Sequence, residues 1–218
     1  MHFEKKHLLL YAVTDRSSAG RQAFLERIAD AISGGVTMLQ LREKELNEDI
    51  FLKEAVKVTE LCHKYRIPCI INDNVNIALK SGADGVHVGI YDTPVKEIRK
   101  RAGRNFIIGA TAKTKEQAKL AEESGADYLG AGAVFPSPTK TNAVRITTEQ
   151  LSDICSSVSI PVVAIGGITA SNIDALKGSG ICGIAAVSSV FAADDVKAAA
   201  GQLRKKAASL AEKPRKRS

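Results

Sequence analysis

The chain has 218 residues, of which 44% are hydrophobic and 25% charged, with 17 glycines, no tryptophan and a formal net charge of +7. This composition is typical of a soluble globular protein and excludes a disordered, collagen-like or coiled-coil chain. The length suits one domain, and we expect it to span residues 1–210.

The positive charge is concentrated at the C-terminus. Seven basic residues and one acid in the last fifteen residues give +6 there, which leaves +1 for the rest of the chain. Aromatic residues make up only 5% of the chain and are not interleaved with basic ones, so we expect no nucleic-acid binding. We expect residues 211–218 to form a solvated, disordered tail, with a binding arm as the alternative.

No apolar run approaches the roughly 18 residues of a membrane span, and the apolar stretch in MHFEKKHLLLYAVTD is too short for a secretory signal. We therefore expect a cytoplasmic protein without a membrane partner. The four cysteines form no C-x-x-C pair and no zinc-finger spacing with histidine, so we expect reduced, buried thiols at Cys62, Cys69, Cys155 and Cys182. A homo-oligomer is compatible with the sequence and is not required by it.

One short sequence motif, a Ser-Gly pair before an apolar run, recurs four times. Each copy predicts a helix end, a glycine cap and a buried strand. The copies begin at Ser33, Ser81, Ser124 and Ser179, and precede VTMLQL, DGVHVG, DYLGAG and ICGIAAV. Further strand-like runs lie at residues 8–13, 68–72, 106–109 and 161–166. Helical segments are predicted at 48–65, 94–101, 114–124, 147–157, 170–179 and 194–211.

Eight strands alternating with helices predict an α/β fold, a single compact (β/α)8 TIM barrel. At about 27 residues per unit the chain lies near the lower length limit of that fold. An open, doubly wound sheet is the alternative. The strand count and the lack of G-x-G-x-x-G after the first strand argue against it.

In such a barrel the residues that follow each strand form one ring at the mouth. Here the ring contains cations, acids and small hydrogen-bond donors, and no histidine lies near a strand end with a Ser or Cys partner, which argues against a catalytic triad. In strand order the ring comprises Thr14-Asp15, residues 40–44, residues 72–74, residues 89–92, residues 109–111, residues 135–141, residues 166–168 and residues 187–189.

Asp73 and Asp92 follow neighbouring strands, where two carboxylates can hold one Mg²⁺ with open positions for phosphate oxygens. Arg42, Lys44 and Lys140 supply cations for the same anion. The ring therefore predicts a metal-dependent diphosphate site. For each acid alone, a helix cap or an ion-paired loop residue is the alternative.

The last two strand ends suit a monophosphate held by backbone N–H groups. Gly166-Gly167 opens a helix after the seventh strand and Ser188-Ser189 follows the eighth; a tight glycine turn is the alternative. Segment 130–141, with two prolines and several hydroxyls, is predicted to be a semi-rigid flap over the mouth.

These residues resemble the thiamine phosphate synthase family from about residue 8 to residue 203. The motifs are QLREK (40–44), INDN (71–74), GADGVHVG with Asp92, GAT (109–111), FPSPTK (135–140), AIGGI (164–168) and VSSV (187–190). The chain has Thr111 where the family often has Ser and Ile90 where it often has Gln. The resemblance implies a Mg²⁺-dependent transferase that condenses 4-amino-5-hydroxymethyl-2-methylpyrimidine diphosphate with thiazole phosphate to give thiamine phosphate and pyrophosphate.

The resemblance also implies roles for individual residues. Asp73 and Asp92 would bind the magnesium, and Arg42, Lys44, Thr111 and Lys140 would act on the reacting groups. The pyrimidine diphosphate would be held by Gln40, Leu41, Arg42, Glu43, Lys44, Asn72, Thr111 and Lys140. The thiazole phosphate would be held by Ser137, Pro138, Thr139, Gly167, Val187 and Ser188.

Two other functions are the alternatives to this one. The tautomerase branch of the same fold relies on a histidine in the loop after the sixth strand, and that loop here has none. A non-enzymatic phosphate sensor would be expected to lose a metal acid or Lys140, and all three are present.

Overall fold

The computed structural model describes residues 2–15, 21–136 and 144–211. Eight parallel strands pair in chain order, and β8 closes on β1, so the predicted TIM barrel is confirmed. The strands are β1 (Leu10–Val13), β2 (Met38–Leu41), β3 (Cys69–Asn72), β4 (Gly85–Val88), β5 (Ile107–Ala112), β6 (Tyr128–Gly132), β7 (Val162–Ile165) and β8 (Gly183–Ala186).

Helices surround the barrel and connect its strands. They are α1 (Arg21–Ser33), α2 (Glu48–Lys64), α3 (Val75–Lys80), α4 (Val95–Ala102), α5 (Lys115–Glu123), α6 (Thr148–Ser157), α7 (Ser188–Phe191) and α8 (Val196–Ala211). Short 3₁₀ helices lie at Lys5–Leu8 and Ile173–Leu176. No helix in the described ranges is both long and apolar enough to cross a membrane. The tail predicted from residue 211 lies, from residue 212 onward, outside the described residues.

The sequence explains where several helices begin and end. Asn47 caps α2 by accepting a hydrogen bond from the Ile50 N–H at 2.9 Å, and Thr147 and Gln150 form a capping box on α6. Gly82 and Gly125 take φ values of +71° and +97° just after α3 and α5, as the Ser-Gly motifs predict.

Two predicted elements differ from the structure. The helix predicted at 170–179 is only the 3₁₀ turn Ile173–Leu176, because Asn172 hydrogen-bonds the backbone of Thr169 and Gly178 turns the chain at φ +86°. The strand predicted to end at residue 109 continues to Ala112, so Thr111 lies within β5 instead of beyond it.

Side chains alternate between two packed layers along each strand. On β1, Leu10 and Ala12 pack with the surrounding helices, whereas Tyr11 belongs to the small cluster inside the barrel. That inner cluster also contains Met38 and Tyr128. The interior is thus filled below the mouth, which leaves the carboxyl ends of the strands to form the site.

Arg99 on α4 stabilises the opposite end of the barrel. Its guanidinium donates to the carbonyls of Gly103 and Phe106 at 2.7 Å each and pairs with Asp127 Oδ2 at 2.7 Å. The same Asp127 oxygen accepts the Ile108 N–H at 2.7 Å, so one ion pair connects α4 with the starts of β5 and β6. This end is built for stability, while the chemistry lies at the other end.

Candidate active site

A cavity of about 440 Å³ opens at the carboxyl ends of the strands, and every strand contributes to it. Its lining comprises Tyr11, Val13, Gln40, Arg42, Lys44, Asn72, Asp73, His87, Gly89, Ile90, Tyr91, Asp92, Thr111, Lys113, Gly130, Gly132, Ala133, Val163, Ile165, Gly166, Ala185 and Val187. Eight of the residues expected at the site therefore line one cavity: Gln40, Arg42, Lys44, Asn72, Asp73, Asp92, Thr111 and Val187.

Other expected residues take different positions. Leu41 is fully buried and packs in the layer between barrel and helices, so its side chain does not face the cavity. Glu43, Gly167 and Ser188 are described but are not among the lining residues. Ser137, Pro138, Thr139 and Lys140 lie outside the described residues, as does Thr141 at the end of the predicted flap.

The loop after β2 brings cations to the cavity. Arg42 and Lys44 both line it, and the Arg42 N–H donates to Thr14 Oγ1 at 3.0 Å, which fixes the start of this loop against the end of β1. Lys44 lies close enough to Asp73 to lower the pKa of that carboxyl against the larger effects that raise it. The cations and the two acids therefore face one space.

Asp73 and Asp92 interact directly across the ends of β3 and β4. Burial, followed by the hydrogen bond and the charge of Asp92, raises the pKa of Asp73 from 3.8 to about 6. Asp73 also has a left-handed backbone, with φ +60°, held by its N–H donating to the His87 carbonyl at 2.9 Å. Strained backbone of this kind persists only where its surroundings enforce it, and it is commonly found at functional sites.

Asp92 has a structural role beside its place in the cavity. Its Oδ2 accepts the Gly89 N–H at 2.7 Å and closes the turn after β4. It does not cap α4, whose N-terminal cap residue is Pro94, without a side-chain hydrogen bond. The cap of the preceding helix, α3, is Asn74, the residue after Asp73. Its side-chain oxygen accepts the Ile77 N–H at 2.9 Å.

A continuous row of hydrogen bonds crosses the floor of the cavity from β2 to β5. Gln40 Nε2 donates to the Tyr11 hydroxyl at 2.5 Å, and the Tyr11 and Tyr128 hydroxyls are 2.8 Å apart. His87 Nδ1 lies 3.1 Å from the Tyr128 hydroxyl and Nε2 lies 3.1 Å from Thr111 Oγ1. We call these five residues the floor chain.

Three members of the floor chain were not predicted from the sequence: Tyr11, Tyr128 and His87. A histidine with a Ser or Cys partner was expected only at a strand end, whereas His87 lies within β4 and its partners are a tyrosine and a threonine. The alternation of strand residues is the signal that would have found it. His87 lies between Val86 and Val88, which pack outward, so it points into the barrel.

Glycines at the end of β6 and just after β7 allow close backbone packing on the other side of the site. A Cβ at Gly132 would overlap the Ile165 carbonyl, and one at Gly167 would overlap the Pro136 carbonyl. Gly167 takes φ +63° and its carbonyl accepts from Asn172 Nδ2 at 2.8 Å. Close packing beneath the loop that leaves β6 therefore explains Gly167, whichever ligand binds above it.

Three comparisons identify the family. The family model for thiamine monophosphate synthase matches residues 10–190. Thiamine-phosphate synthase 2 of Streptococcus pneumoniae serotype 4 is 44% identical over 194 residues, covering 89% of this chain and 92% of the relative. Thiamine-phosphate synthase of Desulfitobacterium hafniense (strain Y51) is 47% identical over 192 residues, covering 88% and 93%.

A solved structure agrees with these sequence relatives. Thiamine phosphate pyrophosphorylase from Pyrococcus furiosus superposes with a TM-score of 0.87 at 38% identity, covering 94% of this chain and 98% of that structure. Eight of the residues expected at the site line the barrel mouth of this chain. The chain belongs to the thiamine monophosphate synthase family.

Proposed function

We propose that this chain is a Mg²⁺-dependent transferase that joins the pyrimidine diphosphate to thiazole phosphate, forming thiamine phosphate and releasing pyrophosphate. The observation that carries the proposal is that Arg42 and Lys44 line the same cavity as two interacting carboxylates. Such a site suits a polyanion together with a divalent cation.

Asp73 and Asp92 fit a magnesium ion. Both are hard oxygen donors, and Asp92 raises the energy of the charged form of Asp73, a repulsion that a divalent cation removes. Among the described residues no third His, Cys, Asp or Glu completes the cluster, which suits an ion that completes its shell with water and substrate oxygens. When bound, Mg²⁺ would supply electrostatic stabilisation of the leaving pyrophosphate.

The remaining residues need to bind and orient more than to transfer protons. In the proposed reaction the aminopyrimidine expels pyrophosphate, and the thiazole nitrogen captures the resulting ring-stabilised cation. Arg42 and Lys44 would neutralise charge on the leaving group as the C–O bond breaks. Val187 and the small residues Gly130, Gly132 and Ala185 would leave room for two heteroaromatic rings in line.

Incubating the full chain with both substrates and Mg²⁺, and measuring pyrophosphate and thiamine phosphate together, tests the proposal. We expect both products in equal amounts, and none when either substrate or Mg²⁺ is left out. Pyrophosphate from the pyrimidine diphosphate alone would instead indicate a hydrolase. The absence of both products would contradict the proposed function.

A further inference from the structure

We propose that the floor chain fixes the neutral Nε2–H tautomer of His87 and thereby makes the Thr111 hydroxyl a donor that points into the cavity. Tyr128, which does not line the cavity, acts in this arrangement as a positioning residue through His87. Only the identity of the group that accepts the hydrogen bond from the Thr111 hydroxyl rests on the proposed function.

The direction of hydrogen-bond donation along the floor chain follows from counting the protons that each group can donate. An amide nitrogen only donates, so the Tyr11 oxygen accepts from Gln40 Nε2. Tyr11 has one proton to give, and Tyr128 is its other partner among the described residues. Tyr128 then gives its single proton to His87 Nδ1, which must be unprotonated to accept it.

The opposite direction leaves a buried donor without an acceptor. If Tyr128 donated to Tyr11, the Tyr11 oxygen would accept twice, and its own proton would find no acceptor among the residues that the structure describes. Tyr11 is 1% exposed and Tyr128 is fully buried, so water does not compensate easily. Folded proteins rarely leave buried polar groups unpaired, which favours the direction from Gln40 to Thr111.

The tautomer of His87 determines how the Thr111 hydroxyl faces the cavity. With its proton on Nε2, His87 donates to Thr111 Oγ1 at 3.1 Å. The Thr111 hydroxyl then accepts from the floor and keeps its own proton for the cavity that it lines. A hydroxyl presented in this way suits an anionic oxygen of the substrate, such as one on the diphosphate.

The floor chain packs against two glycines, at positions where a larger residue would overlap or crowd it. A Cβ at Gly109 would overlap Cζ and the hydroxyl of Tyr128 and lie 2.5 Å from His87 Nδ1. A Cβ at Gly130 would lie 3.1 Å from His87 Cε1. The backbone of β5 and β6 is therefore adapted to the His87 ring and its bond to Tyr128, independently of any ligand.

The tautomer can be observed without substrate. We would record long-range ¹H–¹⁵N spectra of the ¹⁵N-histidine-labelled protein at neutral pH and assign the His87 signals by their loss in His87→Asn. We expect Nε2 protonated and Nδ1 unprotonated in the wild type, and a detectable Nδ1–H population in Tyr128→Phe. Tyr65→Phe, at a partly exposed tyrosine after α2, is the matched control and should leave the spectrum unchanged.

Each other outcome overturns the inference. A wild-type His87 protonated on Nδ1 alone, or on both nitrogens, contradicts the direction of the chain. A wild-type Nε2–H tautomer that persists unchanged in Tyr128→Phe shows that Tyr128 does not fix it. If Tyr128→Phe fails to fold, Gln40→Glu replaces it. A carboxylate accepts the Tyr11 proton, so Tyr128 can donate to Tyr11 and a detectable Nδ1–H population is again expected.

A double-mutant cycle tests whether Tyr128 acts through Thr111. We expect Tyr128→Phe to lower kcat by about threefold and Thr111→Val by about tenfold or more. In the Thr111→Val background Tyr128→Phe should cause no further loss, and a multiplicative loss would contradict the inference. A wild-type protein that releases no pyrophosphate contradicts the proposed function instead, and the spectra still decide the tautomer.

Discussion

The carboxyl groups of Asp73 and Asp92 interact directly, although their residues lie on separate strand ends. Asp73 stands where the chain leaves β3 with φ +60°, and Asp92 closes the turn after β4 through the Gly89 N–H. Backbone geometry on both strands thus holds two like charges together. The folded protein accepts this repulsion at the place where a divalent cation would relieve it.

The repulsion predicts a pH-dependent stability in the absence of divalent cations. Because the pKa of Asp73 is raised from 3.8 to about 6, the folded state binds more protons than the unfolded state between these values. The free energy of unfolding should therefore fall as the pH rises through that window, by about 1 kcal/mol once solvent screening of the half-buried carboxyl is allowed for. Urea denaturation in EDTA from about pH 4 to about pH 7 measures this slope.

Asp73→Asn supplies the comparison, since asparagine tolerates the left-handed backbone and does not titrate. The variant should lose the decline and be more stable than the wild type near neutral pH. Asp153→Asn, at an exposed acid on α6 paired with Lys115, should leave the wild-type slope in place. Parallel curves for Asp73→Asn and wild type would mean that Asp73 does not carry the proton.

Asp92→Asn tests the proposed magnesium ligand. Asparagine keeps an oxygen for the Gly89 N–H but removes an anionic ligand, so we expect turnover to fall at least about tenfold, or about 1.4 kcal/mol of barrier. Part of the loss should return at high Mg²⁺ concentration. The activity-versus-Mg²⁺ curve and the melting temperature are measured on the same preparation.

Asp92→Ala separates the two roles of this residue. It removes the turn acceptor as well as the charge, so it should also destabilise the fold by about 1 kcal/mol. If Asp92→Asn lowered the melting temperature while its Mg²⁺ dependence stayed unshifted, Asp92 would be a structural residue only.

The sequence predicts the barrel and the position of the site because both depend on local patterns. Ser-Gly helix ends and apolar runs mark the strands, and the residues after them meet at one end of a barrel. The floor chain was not found in this way, because the Tyr11–Tyr128 pair joins residues 117 positions apart. Thr111 was expected beyond a strand, yet it lies within β5, since Ala110 and Ala112 continue the buried pattern past Gly109.

Gly109→Ala should destabilise the protein because its Cβ has no space beside Tyr128 and His87. We expect a loss of about 1–3 kcal/mol of unfolding free energy, typical of overpacking in a filled core. Gly201→Ala on α8 is the matched control. Its Cβ would meet the Gly34 carbonyl at an ordinary 3.5 Å and, beyond its neighbours in the helix, no other atom of the described residues within 4 Å, so this change should stabilise the protein by about 0.5–1 kcal/mol through helix propensity. Thermal denaturation of both variants gives the comparison, and equal effects would contradict the packing argument.

Ser188→Asp tests which phosphate binds near the end of β8. Ser188 begins α7 directly after Val187, which lines the cavity, so a carboxylate there would oppose a phosphate bound at this end. If the thiazole phosphate binds there, its Michaelis constant should rise about tenfold or more, while that of the pyrimidine diphosphate changes by less than about threefold.

The matched control is Ser209→Asp, on the exposed surface of α8. It adds the same charge near the C-terminal end of that helix and should change neither constant. Steady-state kinetics with each substrate varied in turn distinguish the cases. Equal increases for both substrates would indicate a general distortion of the mouth, and a selective increase for the pyrimidine diphosphate would exchange the two phosphate assignments.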